Sequence, residues 1–308
     1  MKGFLLRVLG GLLLANLVFA GVSINRASAP AIANAVVEQQ AEDDLRSLST
    51  RFDNSQALAN WQAFQVDGWV DKWESPRVED GQLVLQPRSA GWFEDNTAGH
   101  LYREVTGDFI VTTRLKVEGT ETAVPQRSFS LAGLLIREPR TFTAETWTLG
   151  EENWLFFSVG TASPAGQPQF EIKSTYNSLS TLKISDAQTG WMQLRIARSG
   201  ELFTLLFQAE GSAEWQVLDQ FIRPDLPETL NVGLTAYADW DSVAIDYPNY
   251  RQYNEQGASS QNPDLIAYVE SIDFRRPTTP RFPLATLDPR VSPNPELSEA
   301  RMQDLMAD

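Results

Sequence analysis

Strand-like segments follow one another from Arg51 to about Phe274, and the clearest of them carry apolar residues at every second position, which predicts a β fold. Across 109–117 the odd positions carry Phe, Val, Thr, Leu and Val, whereas the even positions carry Ile, Thr, Arg and Lys. This alternation is typical of a strand with one buried face. Leu194 and Ile196 repeat the pattern, and the turn signal Ser199-Gly200 before Phe203 predicts a hairpin.

The rest of the chain between Arg51 and Phe274 also has the composition of short strands. Further strand-like segments span 134–137, 154–160, 169–175, 215–222, 231–237 and 267–274. Clusters of Gly, Pro, Asn, Asp and Ser separate them, and no ten-residue window shows a convincing helical stripe. There is no internal repeat of fixed period, which disfavours a propeller. The pattern therefore predicts an all-β sandwich or barrel over residues 51–275.

The absence of cysteine from all 308 residues narrows the chemistry. Thiol catalysis, Cys-ligated zinc, iron–sulfur clusters and lipidation at a signal cysteine are excluded, and the core alone must stabilise the fold. The formal net charge of −15 disfavours nucleic acid and anionic membranes as partners. Neutral ligands such as sugars are compatible with this charge, and so are cations.

The N-terminal segment has the pattern of an export signal. Lys2 and Arg7 precede an uncharged stretch over 8–25, and a small-residue site follows at 33–35. This order predicts a secretory signal peptide over residues 1–35, and hence a secreted or periplasmic protein. The alternative is a membrane anchor, but the stretch contains several Gly residues and is short for a spanning helix.

Two flanking segments differ from the strand region. Residues 36–50 are polar and acidic, and we predict a linker or a short helix there. Residues 276–308 form a tail rich in proline, which favours an extended chain. The last part of the tail, 296–307, has a ragged apolar stripe and is predicted to be a short helix.

Several segments of the strand region follow one another in an order that is known from another group of proteins. They follow Asp53 and Asn60-Trp61 and span 78–83, 91–93, 102–109, 132–137, 154–160, 191–196 and 232–237. Their composition and spacing resemble the concanavalin A-like jelly rolls, and within them the DUF1349 group. The resemblance implies two packed antiparallel sheets, one of them concave, with sugars commonly held on the concave sheet and its rim loops. Fold alone does not settle function.

The motifs of a jelly-roll hydrolase are missing. Such an enzyme needs two carboxylates on one strand face, typically in a Glu-x-Asp-x-x-Glu spacing, and the sequence has no such motif. Glu151 and Glu152 are adjacent, so on a strand they would point to opposite faces. His100 is the only histidine, and no Gly-x-Ser-x-Gly turn accompanies it. We predict no catalytic residues, although a carboxylate pair assembled from separate strands stays open.

Tryptophan is the richest remaining signal, with nine residues in the chain. Because an indole plane suits the apolar C–H face of a sugar ring, exposed loop tryptophans are candidate ligand contacts. The alternative is that these rings build the core. Trp61, Trp191 and Trp215 are expected in the core or at strand edges. Four others lie in polar, loop-like stretches: Trp69, Trp73, Trp92 and Trp240.

Polar residues on neighbouring strand-like segments suggest a second part of the site. Arg137 alternates with Leu and Ile, Glu171 and Lys173 alternate with Phe and Ile, and Tyr176 follows. If these strands are neighbours, the four side chains would form a polar floor. The alternative is a cross-strand ion pair on a solvent face.

One acidic cluster is a candidate calcium site. Asp239 and Asp241, close to Asp246, offer hard carboxylate oxygens at a strand end. The cluster lacks the glycine turn and the terminal Glu of an EF-hand, so solvated loop acids are the favoured interpretation. The run at 94–96 is an equally weak candidate, and no other cofactor is predicted.

Together these features favour a secreted, non-catalytic, carbohydrate-binding protein of the lectin type. Its predicted ligand contacts are Trp69, Trp92, Arg137, Glu171, Lys173, Tyr176 and Trp240. The alternative function is a glycoside hydrolase or a related sugar-cleaving enzyme. A third hypothesis is a structural protein of the cell envelope that uses the proline-rich tail as a tether.

Overall fold

The computed structural model describes residues 43–279 and 297–307. The predicted signal peptide and most of the proline-rich segment lie outside these residues. Within the described residues the strands form two antiparallel sheets, which confirms the predicted all-β jelly-roll sandwich. None of the helices in this part of the chain has the length and apolar content needed to cross a bilayer.

The chain passes between the two sheets several times. In chain order they are β1 (Thr50–Arg51), β2 (Gln62–Ala63), β3 (Arg77–Glu79), β4 (Gln82–Leu85), β5 (Gly99–Thr106), β6 (Phe109–Glu118), β7 (Ser130–Arg137), β8 (Trp154–Thr161), β9 (Gln169–Tyr176), β10 (Leu179–Asp186), β11 (Met192–Ser199), β12 (Leu202–Ala209), β13 (Gln216–Ile222), β14 (Thr229–Tyr237) and β15 (Ile266–Arg275). Sheet A has the order β13-β12-β11-β6-β15-β4-β3, with β1 also paired to β15. Sheet B has the order β10-β9-β8-β7-β14-β5-β2. Strands β7 to β10 are thus consecutive in one sheet, and β11 to β13 are consecutive in the other.

Helical structure is confined to short segments in the described residues. The α-helices are α1 (Trp240–Val243), α2 (Tyr250–Gln256) and α3 (Glu299–Met306). Two 3-10 turns, Asp44–Leu48 and Ser55–Leu58, lie near the start of the described chain. Helices α1 and α2 belong to a single excursion of the chain between β14 and β15, which contributes to the candidate site below.

The main core lies between the two sheets. Leu134 and Ile136 of β7 belong to the same buried cluster as Leu194 and Ile196 of β11. These are the even-numbered positions that the period-two pattern assigns to one face of each strand. The hydrophobic effect of burying this cluster is what joins the sheets, since the chain has no disulfide.

Sheet B is also buried on its outer face, which is the face turned away from sheet A. Every residue of β7 and β8 is buried, so both faces of these central strands are covered. Trp92, Trp154, Phe156 and Tyr237 form a second buried cluster on this side. The cover comes from the loop between β4 and β5 and from the excursion with α1 and α2. The two are joined where the Tyr253 hydroxyl accepts a hydrogen bond from the Gly91 amide at 3.0 Å.

Helix α3 packs on the outer face of sheet A. Leu305 joins a small buried cluster with Ile110 and Trp215. The Arg195 guanidinium donates to the carbonyl oxygen of Ala307 at 2.8 Å, and its centre lies 3.9 Å from the centroid of the Trp215 ring. The C-terminal helix is therefore an integrated part of the sandwich.

The carboxylate of Asp304 fastens α3 to the end of β15, so Asp304→Asn is expected to loosen this helix. Burial raises the pKa of Asp304, but hydrogen bonds from the Thr279 amide and hydroxyl and the Thr278 amide outweigh it and hold the pKa well below its usual range. A depressed carboxylate pKa contributes stability that is complete above the unfolded pKa and is lost as pH falls through the folded value. Docking of α3 should therefore weaken only in acid.

Limited proteolysis at neutral pH measures this effect. Asp304→Asn should release C-terminal fragments faster than wild type, with a loss of about 1–3 kcal/mol in docking free energy. Gln303→Ala, on the exposed side of the same helix, is the matched control and should behave as wild type. Equal cleavage of Asp304→Asn and Gln303→Ala would contradict the assigned role.

Candidate functional site

A small pocket with mostly aromatic walls opens on the outer side of sheet B. Its volume is about 130 Å³, and its lining residues are Phe93, Phe129, Lys173, Leu182, Tyr237 and Trp240. Strands β9, β10 and β14 supply Lys173, Leu182 and Tyr237, and the covering loops supply the other rings. We call this site the aromatic pocket.

The local backbone holds Trp240 in the wall of the pocket. The preceding residue, Asp239, adopts a left-handed conformation with φ +66°, and the Trp240 amide donates to the carbonyl of Ser128 at 2.9 Å. Gly91 lies beneath the indole, where an added Cβ would stand 3.2 Å from a ring carbon. Phe93 meets the indole edge-to-face at a centroid distance of 5.4 Å. The half-buried Trp240 ring is thus fixed by neighbours on several sides.

Backbone strain is concentrated beside this pocket. Phe129 has φ +49° and Glu94 has φ +54°, in addition to the left-handed Asp239. A positive φ is uncommon outside glycine and is a genuine outlier for a bulky residue such as Phe. Residues in such conformations cluster at functional sites because the surrounding structure must hold them there. The strain at Phe129 therefore marks this pocket as a candidate site.

A buried ion pair forms the floor of the pocket. The Lys173 ammonium donates to the carbonyl oxygen of Trp92 at 2.7 Å and to the Tyr237 hydroxyl at 2.9 Å, and it lies 3.2 Å from a carboxylate oxygen of Glu171. The Tyr237 hydroxyl in turn donates to Glu171. Two of the three N–H groups of the lysine are thereby used in hydrogen bonds, and the carboxylate of Glu171 balances its charge.

Burial sets the ionisation behaviour of this floor. It lowers the pKa of Lys173, while the Glu171 carboxylate acts in the opposite direction. Burial and the same carboxylate raise the pKa of Tyr237 well above its usual range. The phenol therefore stays neutral, and the opposite charges of Lys173 and Glu171 cancel locally.

Further aromatic residues extend the rim of the pocket beyond Phe93. The Tyr247 hydroxyl donates to Glu94 at 2.7 Å, and the Tyr250 hydroxyl donates to the same carboxylate. The Tyr247 ring lies 5.8 Å from Trp240 and is partly exposed. The rim thus presents rings next to one hydrogen-bonded carboxylate.

The predicted polar floor is only partly correct. Glu171 and Lys173 do face the pocket side of sheet B, but β8 lies between them and Arg137. The Arg137 guanidinium instead makes two hydrogen bonds to Glu152, at 2.9 and 2.8 Å, in a fully buried pair. Tyr176 is 52% exposed at the end of β9 and does not line the pocket.

The loop tryptophans also differ from expectation. The prediction that Trp92 offers its ring to a ligand is wrong, because the side chain is fully buried and its indole N–H donates to Thr235 at 2.9 Å. Trp73 is buried against Gly99, where an added Cβ would stand 2.1 Å from a ring carbon. Trp69 is half-buried and packs against Trp147 at 5.3 Å, outside the aromatic pocket.

The predicted core tryptophans show a smaller difference. Trp61 and Trp215 are buried as expected. Trp191 is half-buried, and the guanidinium of Arg114 lies 4.9 Å from its ring centroid. Of the nine tryptophans, Trp240 alone lines the aromatic pocket.

In the acidic cluster that was predicted as a candidate calcium site, Asp239 makes hydrogen bonds that hold the covering loops. One carboxylate oxygen of Asp239 accepts hydrogen bonds from the Ser89 hydroxyl at 2.6 Å and the Asn262 amide at 3.0 Å, which ties the two covering loops together. Asp241 is exposed and makes no part of this arrangement. In the described residues, no group of three or more His, Asp and Glu side chains is placed to hold a metal ion.

The remaining titratable candidates are structural too. Burial raises the pKa of Asp95, whose carboxylate accepts from the Ser178 hydroxyl at 2.6 Å. His100 is fully buried, and burial lowers its pKa to about 3, so it is uncharged at neutral pH. Neither residue lines the aromatic pocket, and the lining of that pocket includes no carboxylate.

Four lining residues were not predicted from the sequence. Phe129 and Phe93 lie in loops, and a single sequence does not show whether an aromatic residue in a loop lines a pocket or is fully buried. Leu182 lies on β10, an exposed edge strand with an irregular apolar pattern. Tyr237 is the one of the four whose orientation the sequence indicates. Leu234 and Ala236 of β14 face the core between the sheets, so the odd-numbered position 237 faces the outer side of sheet B.

Two larger depressions have a different character. One, of about 410 Å³, follows the loop from Phe64 to Trp73, and its lining includes Lys72 and Trp69, which was a predicted ligand contact. The Lys72 ammonium donates to the carbonyls of Tyr253 and Asn254 at the end of α2, at 2.8 and 2.9 Å. The other, of about 320 Å³, lies on sheet A beside α3 and is lined by polar residues such as Arg195 and Arg275.

Comparison with known proteins identifies the fold. No protein-family model and no curated protein matches this chain. The GH43 protein BlXynB from Bacillus licheniformis is similar with a TM-score of 0.50 and 13% identity, over 76% of this chain and 40% of that chain. A functionally unknown protein from Saccharomyces cerevisiae gives a TM-score of 0.48 and 12% identity, over 72% of this chain and 99% of that chain. Basic winged bean lectin, solved with Tn-antigen, gives a TM-score of 0.43 and 14% identity, over 70% of this chain and 98% of that chain.

The likeness concerns architecture. Over the residues that the structure describes, this protein has the two-sheet antiparallel jelly-roll fold that the resemblance in the sequence predicted. The chain spans 40% of the length of the GH43 protein, so the activity of that protein is not transferred. Membership of the DUF1349 group stays a prediction.

The Lys173–Glu171 pair allows a direct test of the pocket floor. Lys173→Met is expected to lower the free energy of unfolding by about 3–5 kcal/mol, because it leaves the buried Glu171 carboxylate without its counter-charge. Adding Glu171→Gln should restore much of the loss. Chemical denaturation followed by circular dichroism measures both effects.

Lys183→Met is the matched control on the neighbouring strand. Lys183 pairs with Asp219, but its side chain is 66% exposed, so the loss should stay within about 1 kcal/mol. A small effect of Lys173→Met, equal to that of Lys183→Met, would show that the floor does not depend on the pair.

Proposed function

We propose that this protein is exported and binds carbohydrate without catalysis, with the aromatic pocket as the binding site. The observation that carries the proposal is the half-buried Trp240 ring, held by Phe93 at the mouth of a pocket above a neutralised ion pair. The resemblance to concanavalin A-like sandwiches, in which the concave sheet and its rim loops commonly hold sugars, supports carbohydrate as the class of ligand.

The chemistry of the walls suits a neutral sugar. Aromatic faces such as that of Trp240 pack against the apolar C–H surface of a pyranose ring, while sugar hydroxyls outside the pocket stay in water. A cationic ligand is disfavoured because Lys173 already places its ammonium 4.8 Å from the Tyr237 ring centroid. An anionic ligand would meet the Glu94 carboxylate at the rim and a chain of net charge −15.

The hydrolase alternative finds no support at this pocket. Glycoside hydrolysis needs two carboxyl groups about 5–9.5 Å apart on either side of the scissile bond. The lining residues include no Asp or Glu, and Glu171 below them is engaged by Lys173 and Tyr237. Lectin-type binding is therefore the function that the geometry favours.

Trp240→Ala is expected to weaken glycan binding about tenfold or more, which corresponds to about 1.4 kcal/mol. The reason is the loss of the stacking surface at the mouth of the pocket. A glycan array identifies ligands of the wild type, and titration calorimetry on the best ligand measures the affinity of each variant.

Tyr176→Ala is the matched control, since Tyr176 is an exposed aromatic residue outside the pocket. It should bind as wild type does. Binding should also persist in EDTA, because the proposed site uses no metal ion. If no glycan binds, or if Trp240→Ala and Tyr176→Ala bind equally well, this pocket is not a sugar site.

Export is a separate part of the proposal and rests on the N-terminal sequence. Residues 1–35 fused to a periplasmic reporter enzyme should direct it out of the bacterial cytoplasm, with cleavage near Val36. Replacing Lys2 and Arg7 by Glu in the fusion should reduce export. A reporter that stays in the cytoplasm, or one exported without cleavage, would contradict a cleaved signal peptide.

A further inference from the structure

We propose that the aromatic pocket receives the C6 end of one terminal sugar residue and selects 6-deoxyhexoses over the parent hexoses. This inference deepens the proposed function and rests on it. It follows from the hydrogen-bonding capacity, the size and the charge of the pocket.

Apart from the indole N–H of Trp240, the walls have little hydrogen-bonding capacity for a hydroxyl group. Phe93, Phe129 and Leu182 have no polar side-chain atoms. The Tyr237 hydroxyl already donates to Glu171 and accepts from Lys173 at 2.9 Å. A hydroxyl that entered would lose its water without a full replacement, whereas a methyl group would gain from leaving water.

The ammonium of Lys173 is also engaged by the protein. It donates to the Trp92 carbonyl at 2.7 Å and to the Tyr237 hydroxyl at 2.9 Å, and the Glu171 carboxylate balances its charge from 3.2 Å. The ammonium is also held near the wall rings, since the centroids of Phe93 and Phe129 lie 5.9 and 6.0 Å from its nitrogen. The methyl group at C6 of a deoxyhexose is the apolar protrusion of a sugar that fits such a wall.

The size of the pocket restricts the ligand to one residue. Its volume of about 130 Å³ is well below the roughly 300–1,000 Å³ of sites that enclose drug-sized ligands. The neighbouring outer face of sheet B is filled by Trp92, Trp154 and Phe156, all fully buried. A polysaccharide cannot lie along these strands, so a chain end is what can enter.

Charge sets the order of preference at C6. A carboxylate at this position would be desolvated next to Glu171, whose counter-charge is already used, and close to Glu94 at the rim. Burying an unpaired charge costs more than burying an unpaired hydroxyl. The expected order of affinity is therefore 6-deoxy, then 6-hydroxy, then 6-carboxylate.

A panel of methyl glycosides that differ only at C6 tests this order. It contains the 6-deoxy, 6-hydroxy and 6-carboxylate forms of galactose, mannose and glucose, titrated into the full chain. In the series that binds best, we expect the 6-deoxy sugar to bind about tenfold more tightly than the parent hexose, with the uronate weakest. Equal or tighter binding of the parent hexose overturns the inference.

Leu182→Asn tests the same preference from the protein side. Leu182 lies in the pocket wall, is 39% exposed and can be replaced without opening the core. An amide at this position supplies hydrogen bonds to a hydroxyl, so the preference for 6-deoxy sugars should fall several-fold. Leu179→Asn, at a 71% exposed position on the same strand outside the pocket, should keep the wild-type preference.

The outcomes separate this inference from the proposed function. If longer glycans bind in a Trp240-dependent manner but no methyl glycoside does, carbohydrate binding stands and the single-residue inference fails. If octanoate binds while neither the glycan array nor the panel gives a ligand, the pocket serves an acyl group and both proposals fail.

Discussion

Burial of the central strands of sheet B on both faces is the constraint on which the rest of this structure depends. A charged side chain on a covered face must find a partner inside the protein, because an unpaired buried charge is strongly unfavourable. Arg137 meets this requirement with Glu152, and Lys173 meets it with Glu171 and Tyr237. These two cationic side chains of sheet B are thus each paired with a buried carboxylate.

The covering loops explain where a ligand site remains. The excursion between β14 and β15 and the loop between β4 and β5 converge over the strands and fill most of the outer face with Trp92 and its neighbours. The aromatic pocket is the space that they leave above Lys173, and the positive φ values of Phe129, Glu94 and Asp239 lie around it. The loops that cover most of the outer face of sheet B therefore also form the walls of this small pocket.

Predictions from the sequence succeeded where local pattern and tertiary burial agree. The alternation in β6 and β11 predicted strands correctly, because one face of each packs into the core between the sheets. Strand β10 was missed because it is an edge strand whose exposed positions carry Leu179 and Leu182, so its pattern has no clear period. The exposure of Trp92 was predicted wrongly, because an indole in a polar loop sequence can also be buried against the face of a sheet.

By itself the sequence determined an all-β, cysteine-free sandwich with an acidic surface, since these properties follow from composition and from the spacing of residues along one strand. Only the tertiary structure decided which polar residues meet, because strand order places β8 between Arg137 and Lys173. It also decided which of the nine tryptophans lines the aromatic pocket, because that depends on how loops distant in sequence pack over sheet B. Register and side-chain alternation are local properties, whereas the contents of a pocket are set by long-range contacts.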